Sequence, residues 1–95
     1  MTHGILMHEP DDDVGVAVAD LAAGSDIGAV TLEGQPVSTV RLLAAVPLGH
    51  KVAMRDITTG RDVVEYGRTI GVATQDAPRG SHVHIHNIKT KRWTA

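Results

Sequence analysis

The chain carries one short sequence frame three times, and this repeat constrains the fold more than any other feature of its 95 residues. The copies are VAVADLAAGSDI at 16–27, VAMRDITTGRDV at 52–63 and VATQDAPRGSHV at 72–83, which share Val-Ala-x-x-Asp-x-x-x-Gly-x-x-apolar. The offsets of 36 and 20 residues are unequal, so the frame does not describe an evenly spaced solenoid. We interpret it as one supersecondary unit that is used three times.

Each part of the frame has a structural explanation. Val-Ala-x-x predicts a short strand, and the Asp that follows is placed to cap a single helical turn by accepting hydrogen bonds from free N–H groups. The Gly lies where the chain leaves that turn through positive φ. The segment AVPLGHKV, at 45–52, resembles a fourth and degenerate copy with Ala45 in place of the Asp. The Asp and Gly that recur in the three copies are assigned to turn structure and not to catalysis: Asp20, Asp56, Asp76, Gly24, Gly60 and Gly80.

The segments outside the repeat also have the pattern of strands. EGQP at 33–36 predicts a hairpin turn from which STVRLLA at 38–44 returns, and DVVEYG at 62–67 is separated from TIGVAT at 69–74 by a glycine turn. Because the sequence has no Phe, one Tyr and one Trp, its core must consist mostly of Val, Ile, Leu and Ala, which favours strands. We predict a mainly β, compact fold of about eight short strands with one-turn helices at the Asp-x-x-x-Gly turns.

The charge and the missing residue types exclude several classes of function. A formal net charge of −2 lacks the strong basic excess of a nucleic-acid-binding domain. Without cysteine, the chain has no disulfide framework, no thiolate zinc site and no cysteine nucleophile. The amino terminus lacks a basic start followed by a long apolar run, and no segment reaches the ~20 apolar residues of a membrane span. We therefore expect one cytoplasmic domain over 1–95 that binds neither nucleic acid nor a membrane.

The segment SHVHIHN, at 81–87, places three histidines on alternate positions. In a strand, His82, His84 and His86 would share one face, with neighbouring positions ~6.5–7 Å apart. Two imidazoles at this spacing can converge on one zinc or iron ion, whereas three on one flat strand cannot easily do so. The competing interpretation is the solvated face of a strand. His82 occupies a variable position of the third repeat, so His84 and His86 are the better candidates.

Several of these segments together resemble a known family. The Asp-x-x-x-Gly turns are similar to those of SAF domains, which have the β-clip fold. The series PLGHK, YG, IG and HVHIHN, with the ending IKTKRW, resembles the amino-terminal module of the altronate and galactarate dehydratase family. In fused members this module precedes a much larger catalytic portion, and in split members a separate large subunit accompanies it. The ending is most similar to the small (alpha) subunits of the sulfolactate sulfo-lyase branch.

The resemblance implies a lyase that acts on a small hydroxy acid and shares its active site with the large subunit. The reaction would be loss of sulfite from (2R)-sulfolactate to leave pyruvate, or loss of water from a sugar acid. A divalent metal, with iron as the family expectation, would be held mainly by the large subunit. His84 and His86 would bind the metal or act as the acid towards the leaving group. His50 and Lys51, in PLGHK, would bind the substrate carboxylate, although an exposed turn gives an equally good account of His50.

Two other segments have alternative interpretations. Trp and Arg are frequent at interface hot spots, so Lys91, Arg92 and Trp93 in the basic tail 89–95 are candidate docking residues for the large subunit; a frayed terminus is the alternative. The acidic run at 11–13 lacks the alternating ligands and closing Glu of an EF-hand, and we interpret it as an ordinary solvated loop.

The sequence shows no convincing pair of carboxylates, no nucleophile beside a base and no phosphate-binding glycine loop. The resemblance therefore implies that the proton-abstracting base lies on the large subunit. Two other functions stay open: a free-standing β-clip module that binds a small anion or carbohydrate, and a structural or assembly module without a catalytic role. In isolation, such a chain could also form a homo-oligomer.

Overall fold

The computed structural model of the protein describes residues 3–84 and 88–90. Within these ranges the secondary structure consists of strands and turns without a helix, so none of the described residues form a helix long and apolar enough to cross a membrane. The strands are β1 (His3–Met7), β2 (Val14–Ala17), β3 (Asp26–Thr31), β4 (Pro36–Arg41), β5 (Lys51–Ala53), β6 (Asp62–Glu65), β7 (Arg68–Ala73), β8 (His82–Val83) and β9 (Ile88–Thr90). The predicted mainly β fold of short strands is confirmed.

The strands form one sheet of six and one of three. The order in the first sheet is β4-β3-β1-β2-β5-β8, and the order in the second is β6-β7-β9. The predicted hairpins join β3 to β4 and β6 to β7. Successive residues of a strand point to opposite faces, and accordingly Val52 belongs to one hydrophobic cluster and Ala53 to another. The short strand β5 therefore separates two small cores.

The repeated frame forms two pairs of interlocked turns. Ile57 and Ala77, in the second and third copies, exchange both backbone hydrogen bonds at 2.8 and 2.7 Å. Leu21 and Val46 make the same reciprocal bridge, with both bonds at 2.9 Å. The segment 45–52 therefore pairs with the first copy as the third copy pairs with the second, which confirms that it is a fourth copy.

The aspartates of the frame accept hydrogen bonds from the turn of the paired copy and not from their own. Asp56 Oδ1 accepts from the backbone N–H of Arg79 at 2.8 Å. Asp76 Oδ1 accepts from the backbone N–H and the hydroxyl of Thr59, both at 2.8 Å, and these bonds lower the pKa of Asp76. The first copy makes the equivalent bond, and its Asp binds the N–H of Leu48 at 2.9 Å.

The one-turn helices predicted at these positions are not confirmed. Each segment is a four-residue β-turn with Gly third, as in 58–61, where the N–H of Arg61 donates to the carbonyl of Thr58 at 3.1 Å. The glycine at that third position has positive φ, 86° for Gly60, which produces a type II turn. A residue in this conformation ends any helical run at once, so the carboxylate is left to cap the neighbouring turn.

The acidic run at 11–13 is not the solvated loop that the sequence suggested, because Asp12 and Asp13 are buried. Asp12 accepts hydrogen bonds from the backbone N–H groups of Tyr66 and Gly67 at 2.9 and 3.1 Å. Both of these residues have positive φ, 60° and 70°, as a type I′ hairpin requires. The carboxylate thus stabilises a turn in which Tyr is an unfavourable residue.

Asp13 joins the first sheet to the second. Its Oδ2 accepts a hydrogen bond from the backbone N–H of Val64 at 2.8 Å, and its Oδ1 lies 3.1 Å from the Arg61 guanidinium and 3.4 Å from that of Arg55. The carboxylate is buried, whereas both arginines are partly exposed. Its removal would leave the backbone N–H of Val64 without its acceptor.

We expect Asp13→Ala to lower the free energy of unfolding by about 2–3 kcal/mol. The variant loses the charge-assisted hydrogen bond with Arg61, and the backbone N–H of Val64 loses its acceptor. Asp11→Ala is the matched control, since Asp11 is exposed in the same run, and it should change stability by less than about 0.5 kcal/mol. Urea unfolding of the three proteins measures both effects. Equal losses in the two variants would contradict the structural role of Asp13.

Gly60 and Gly80 provide a second matched pair. Both have positive φ, but a Cβ on Gly60 would meet no atom within 4 Å, whereas a Cβ on Gly80 would overlap the carbonyl oxygen of Arg41. Gly60→Ala should therefore cost about 1 kcal/mol from backbone conformation alone, and Gly80→Ala at least twice as much. Thermal and urea unfolding measure the difference, and equal costs would show that the chain next to Arg41 yields easily.

Candidate functional site

Three histidines from two distant segments meet at the β8 edge of the six-stranded sheet. His50 directly precedes β5, His82 begins β8, and His84 follows β8. The antiparallel register places Val52 opposite His82 and Lys51 opposite Val83. The same register, continued by one residue, places His50 opposite His84.

The three rings form a compact cluster with His50 in the middle: the His84 ring stacks on its face, and the His82 ring meets its edge. His50 Nδ1 lies 2.7 Å from His82 Nε2. The ring centroids of His50 and His84 are 3.9 Å apart with an angle of 15° between the planes, whereas those of His82 and His84 are 6.0 Å apart. His50 and His82 are half-buried and His84 is exposed. We call His50, His82 and His84 the histidine cluster, and His84 is its exposed member.

The 2.7 Å distance determines what the His50–His82 pair can hold. At this distance one ring donates an N–H and the other accepts it with a lone pair, so a single proton lies between the two nitrogens. Two imidazole nitrogens bound to the same ion at ~2.1 Å would be ~3.0–3.4 Å apart. In this arrangement the two facing nitrogens are therefore hydrogen-bonded to each other.

The predicted metal pair of His84 and His86 is only partly described, because His86 lies outside the described residues. Across residues 3–84 and 88–90, no group of three or more His, Asp or Glu side chains is placed to hold a metal ion. The role of His84 and His86 as ligands or acids therefore stays a prediction. The candidate docking residues Lys91, Arg92 and Trp93 also lie outside the described residues.

His82 has a more central position than its place in the repeat suggested. The sequence ranked it below His84 because it fills a variable position, yet the structure gives it the hydrogen bond to His50, 32 residues away. The pairing of β5 with β8 brings the two together, and no local sequence pattern indicates that these strands are neighbours. His50, predicted from PLGHK, lies at the centre of the cluster.

Lys51 points away from the histidine cluster, although it is adjacent to His50 in sequence. Its ammonium lies 3.7 Å from Glu65 Oε1, on the other face of β5. Glu65 is only 1% exposed, and its Oε2 has no hydrogen-bond partner among the described residues. Burial raises the pKa of Glu65 above its ordinary value of 4.5, and the charge of Lys51 acts in the opposite direction.

Sequence reasoning missed Glu65, because a Glu before a Tyr-Gly turn is usually exposed. The available signal was the alternation of DVVE, which places Glu65 on the same strand face as the core residue Val63. His8 also lies on this side of the molecule: its charge acts on Glu65, and its ring stacks on that of Tyr66 with centroids 3.9 Å apart. Lys51 and His8 are therefore part of a second polar group, separate from the histidine cluster.

The raised pKa of Glu65 predicts a specific dependence of stability on pH. Between pH 4.5 and the raised native pKa, the folded chain binds the proton more tightly than the unfolded chain, so this group's contribution to the free energy of unfolding falls as the pH rises. Glu65→Gln keeps the shape and removes the titration. Urea unfolding of both proteins, from about pH 4 to about pH 8, should show the wild type losing stability relative to Glu65→Gln across that interval. Two parallel pH profiles would contradict the assignment.

Comparison with known proteins places this chain in a family. The family model described as the altronate/galactarate dehydratase SAF domain matches residues 3–91. The chain is 36% identical to the (2R)-sulfolactate sulfo-lyase subunit alpha of Chromohalobacter salexigens over 94 residues, which cover 98% of this chain and 100% of that subunit. It is 50% identical over 50 residues to the subunit of the same name from Paracoccus pantotrophus, covering 53% of this chain and 75% of that one.

Larger relatives contain the same module as a small part of a longer chain. The altronate dehydratase of Escherichia coli is 46% identical over 79 residues, which are 83% of this chain but only 15% of that enzyme. The chain thus spans the whole of one relative and less than a fifth of another. With the family model matched along nearly all of its length, this chain belongs to the altronate/galactarate dehydratase SAF domain family.

Proposed function

We propose that this chain is the small subunit of a lyase that acts on a small hydroxy acid, most simply (2R)-sulfolactate or a sugar acid. In this proposal, the histidine cluster forms one wall of an active site that a large subunit completes. The observation that carries the proposal is the cluster of three imidazoles at a sheet edge, with His84 exposed. It is supported by the relative that the chain spans from end to end, which is named as a subunit of a sulfo-lyase.

The elimination divides its chemistry between the two subunits. A base on the large subunit removes the proton from the carbon that bears the hydroxyl, the bond from the neighbouring carbon to sulfur or oxygen breaks, and its electron pair leaves with sulfite or hydroxide. The enol that remains becomes the keto acid by gaining a proton on the carbon that lost the leaving group and releasing the proton of its hydroxyl. His84 is exposed and lies against His50, and we assign to it the proton that assists the leaving group.

His50 and His82 act as the support for His84. Their hydrogen bond holds the His50 ring, and the His50 ring stacks on that of His84, so the position of the exposed imidazole depends on both neighbours. His50 is only half-buried, so its ring can also contact a substrate carboxylate. Lys51 contributes indirectly, because its ion pair with Glu65 holds β5, the strand that His50 precedes.

A divalent metal, which we propose to be iron, belongs to the large subunit in this mechanism. It would supply Lewis-acid chemistry at the substrate carboxylate or hydroxyl. On this chain, His84 and His86 are the residues that would reach it, since the facing nitrogens of His50 and His82 are occupied with each other. Docking through Lys91, Arg92 and Trp93, and a cytoplasmic location, stay predictions.

Reconstitution with the large subunit of the same organism tests the proposal. We expect little or no turnover by the isolated chain and restored turnover in the complex, measured as sulfite released from (2R)-sulfolactate and as keto acid formed from altronate. In the complex, His84→Ala should lower kcat by about 100-fold or more, because a positioned general acid is lost. His8→Ala is the control, since His8 stacks on Tyr66 away from the cluster, and it should retain wild-type kcat within about twofold.

Three results would contradict the proposal. Full turnover by the isolated chain would remove the need for a large subunit. Unchanged activity of His50→Ala and His84→Ala in a properly formed complex would favour a structural or assembly role. Calorimetry that shows the isolated chain binding sulfolactate or altronate tightly would favour a free-standing binding module.

A further inference from the structure

The two pairs of turns share their geometry but not their surface chemistry. We call residues 18–23 and 43–48 the apolar turn pair, and residues 54–59 and 74–79 the polar turn pair. Exposed positions of the polar turn pair carry charged and hydroxyl side chains, including Arg55, Thr58, Thr59, Asp76 and Arg79. Exposed positions of the apolar turn pair include Val18, Ala22, Leu43, Ala45, Pro47 and Leu48.

The fold does not require this apolar surface. Leu48 and Arg79 occupy equivalent positions, and the backbone N–H of each donates to an Asp of the paired copy at 2.9 and 2.8 Å. Leu43 and Thr74 are equivalent by position, since each lies two residues before the Asp position of its copy. Since Leu43 and Leu48 are 59% and 62% exposed, their side chains add little to this chain's own core. A patch of exposed apolar side chains that the turn geometry does not need is typical of an interaction surface.

The apolar turn pair carries little charge to oppose an apolar partner. Within its twelve positions, the only ionisable residue is Asp20, whose carboxylate accepts the N–H of Leu48. Depletion of charge at the centre of an exposed apolar surface is characteristic of permanently bound subunits. The composition of this surface therefore favours a stable partner over a transient one.

The apolar turn pair runs directly into the histidine cluster. The turn that contains Leu48 ends at His50, whose N–H donates to the carbonyl of Pro47 at 3.0 Å. Gly49, between Leu48 and His50, donates its N–H to the carbonyl of Ala17 at 2.8 Å and so holds the two turns together. A partner seated on Leu48 would therefore also lie over His50 and the exposed ring of His84.

We infer that the apolar turn pair is the surface on which the large catalytic subunit docks, an inference that rests on the proposed function. The Escherichia coli relative supports this choice of occupant, because the matched module is only 15% of that chain and so is joined to a much larger remaining part. Docking at this place encloses the histidine cluster between the two subunits. Exclusion of water there strengthens the electrostatic interactions of His84 with a charged substrate.

The internal repeat supplies the variant that tests this surface. The double variant Leu43→Thr and Leu48→Arg installs the residues that the polar turn pair already carries at the same positions, so the turns should fold normally. Leu32→Arg is the matched control, because Leu32 is 55% exposed in the β3–β4 hairpin at the opposite end of the sheet. Calorimetric titration of each protein with the large subunit measures the affinity, and unfolding temperature verifies the fold.

We expect the double variant to bind the large subunit at least about tenfold more weakly than the wild type, and Leu32→Arg to bind within about twofold of it. Wild-type affinity of the double variant would overturn the inference while leaving the proposed function intact, and so would an equal loss in Leu32→Arg. Failure of the wild-type chain to bind the large subunit would instead overturn the proposed function. If the double variant lowers the unfolding temperature by more than Leu32→Arg does, Leu43→Thr and Leu48→Arg are titrated separately. Wild-type affinity in both single variants would then overturn the inference.

Discussion

The reciprocal pairing of the repeated turns is the constraint on which the rest of this structure depends. Each copy of the frame is too short to bury an apolar face by itself, and the strands that enter it have three to six residues. Pairing two copies compensates for this, because a reciprocal backbone bridge, two glycine N–H hydrogen bonds and one or two carboxylate caps cross between them. The paired turns thus hold the ends of the strands together, and the described part of the chain contains no helix that could do so.

The two buried aspartates extend this scheme to the second sheet. Asp12 binds the β6–β7 turn and Asp13 binds the backbone of β6, so both act between elements that are about 50 residues apart in sequence. Carboxylates buried in this way must be fully hydrogen-bonded, and these two are. Glu65 is the contrast: its carboxylate is paired with Lys51, one of its oxygens has no partner in the described region, and burial raises its pKa.

The fourth copy of the frame links the fold to the candidate site. It is the degenerate copy, with Ala45 where the others have Asp, and it ends in His50 where the third copy has Ser81. The loss of the acidic residue leaves an apolar turn, and the gain of an imidazole places a functional side chain at its end. One copy of the repeated turn thus differs from the others at the position that supplies His50 to the histidine cluster.

The amino-acid sequence by itself determined the class of fold, the two hairpins, the repeated turns and the candidate residues His50 and His84. These follow from local chemistry: β-branched residues favour strands, and glycine at positive φ ends a turn. Only the tertiary structure decided that the carboxylates cap their neighbours' turns, that Asp12, Asp13 and Glu65 are buried, and that His82 binds His50. Each of these depends on which strands lie side by side, and strand pairing over more than 30 residues is set by the packing of the whole chain.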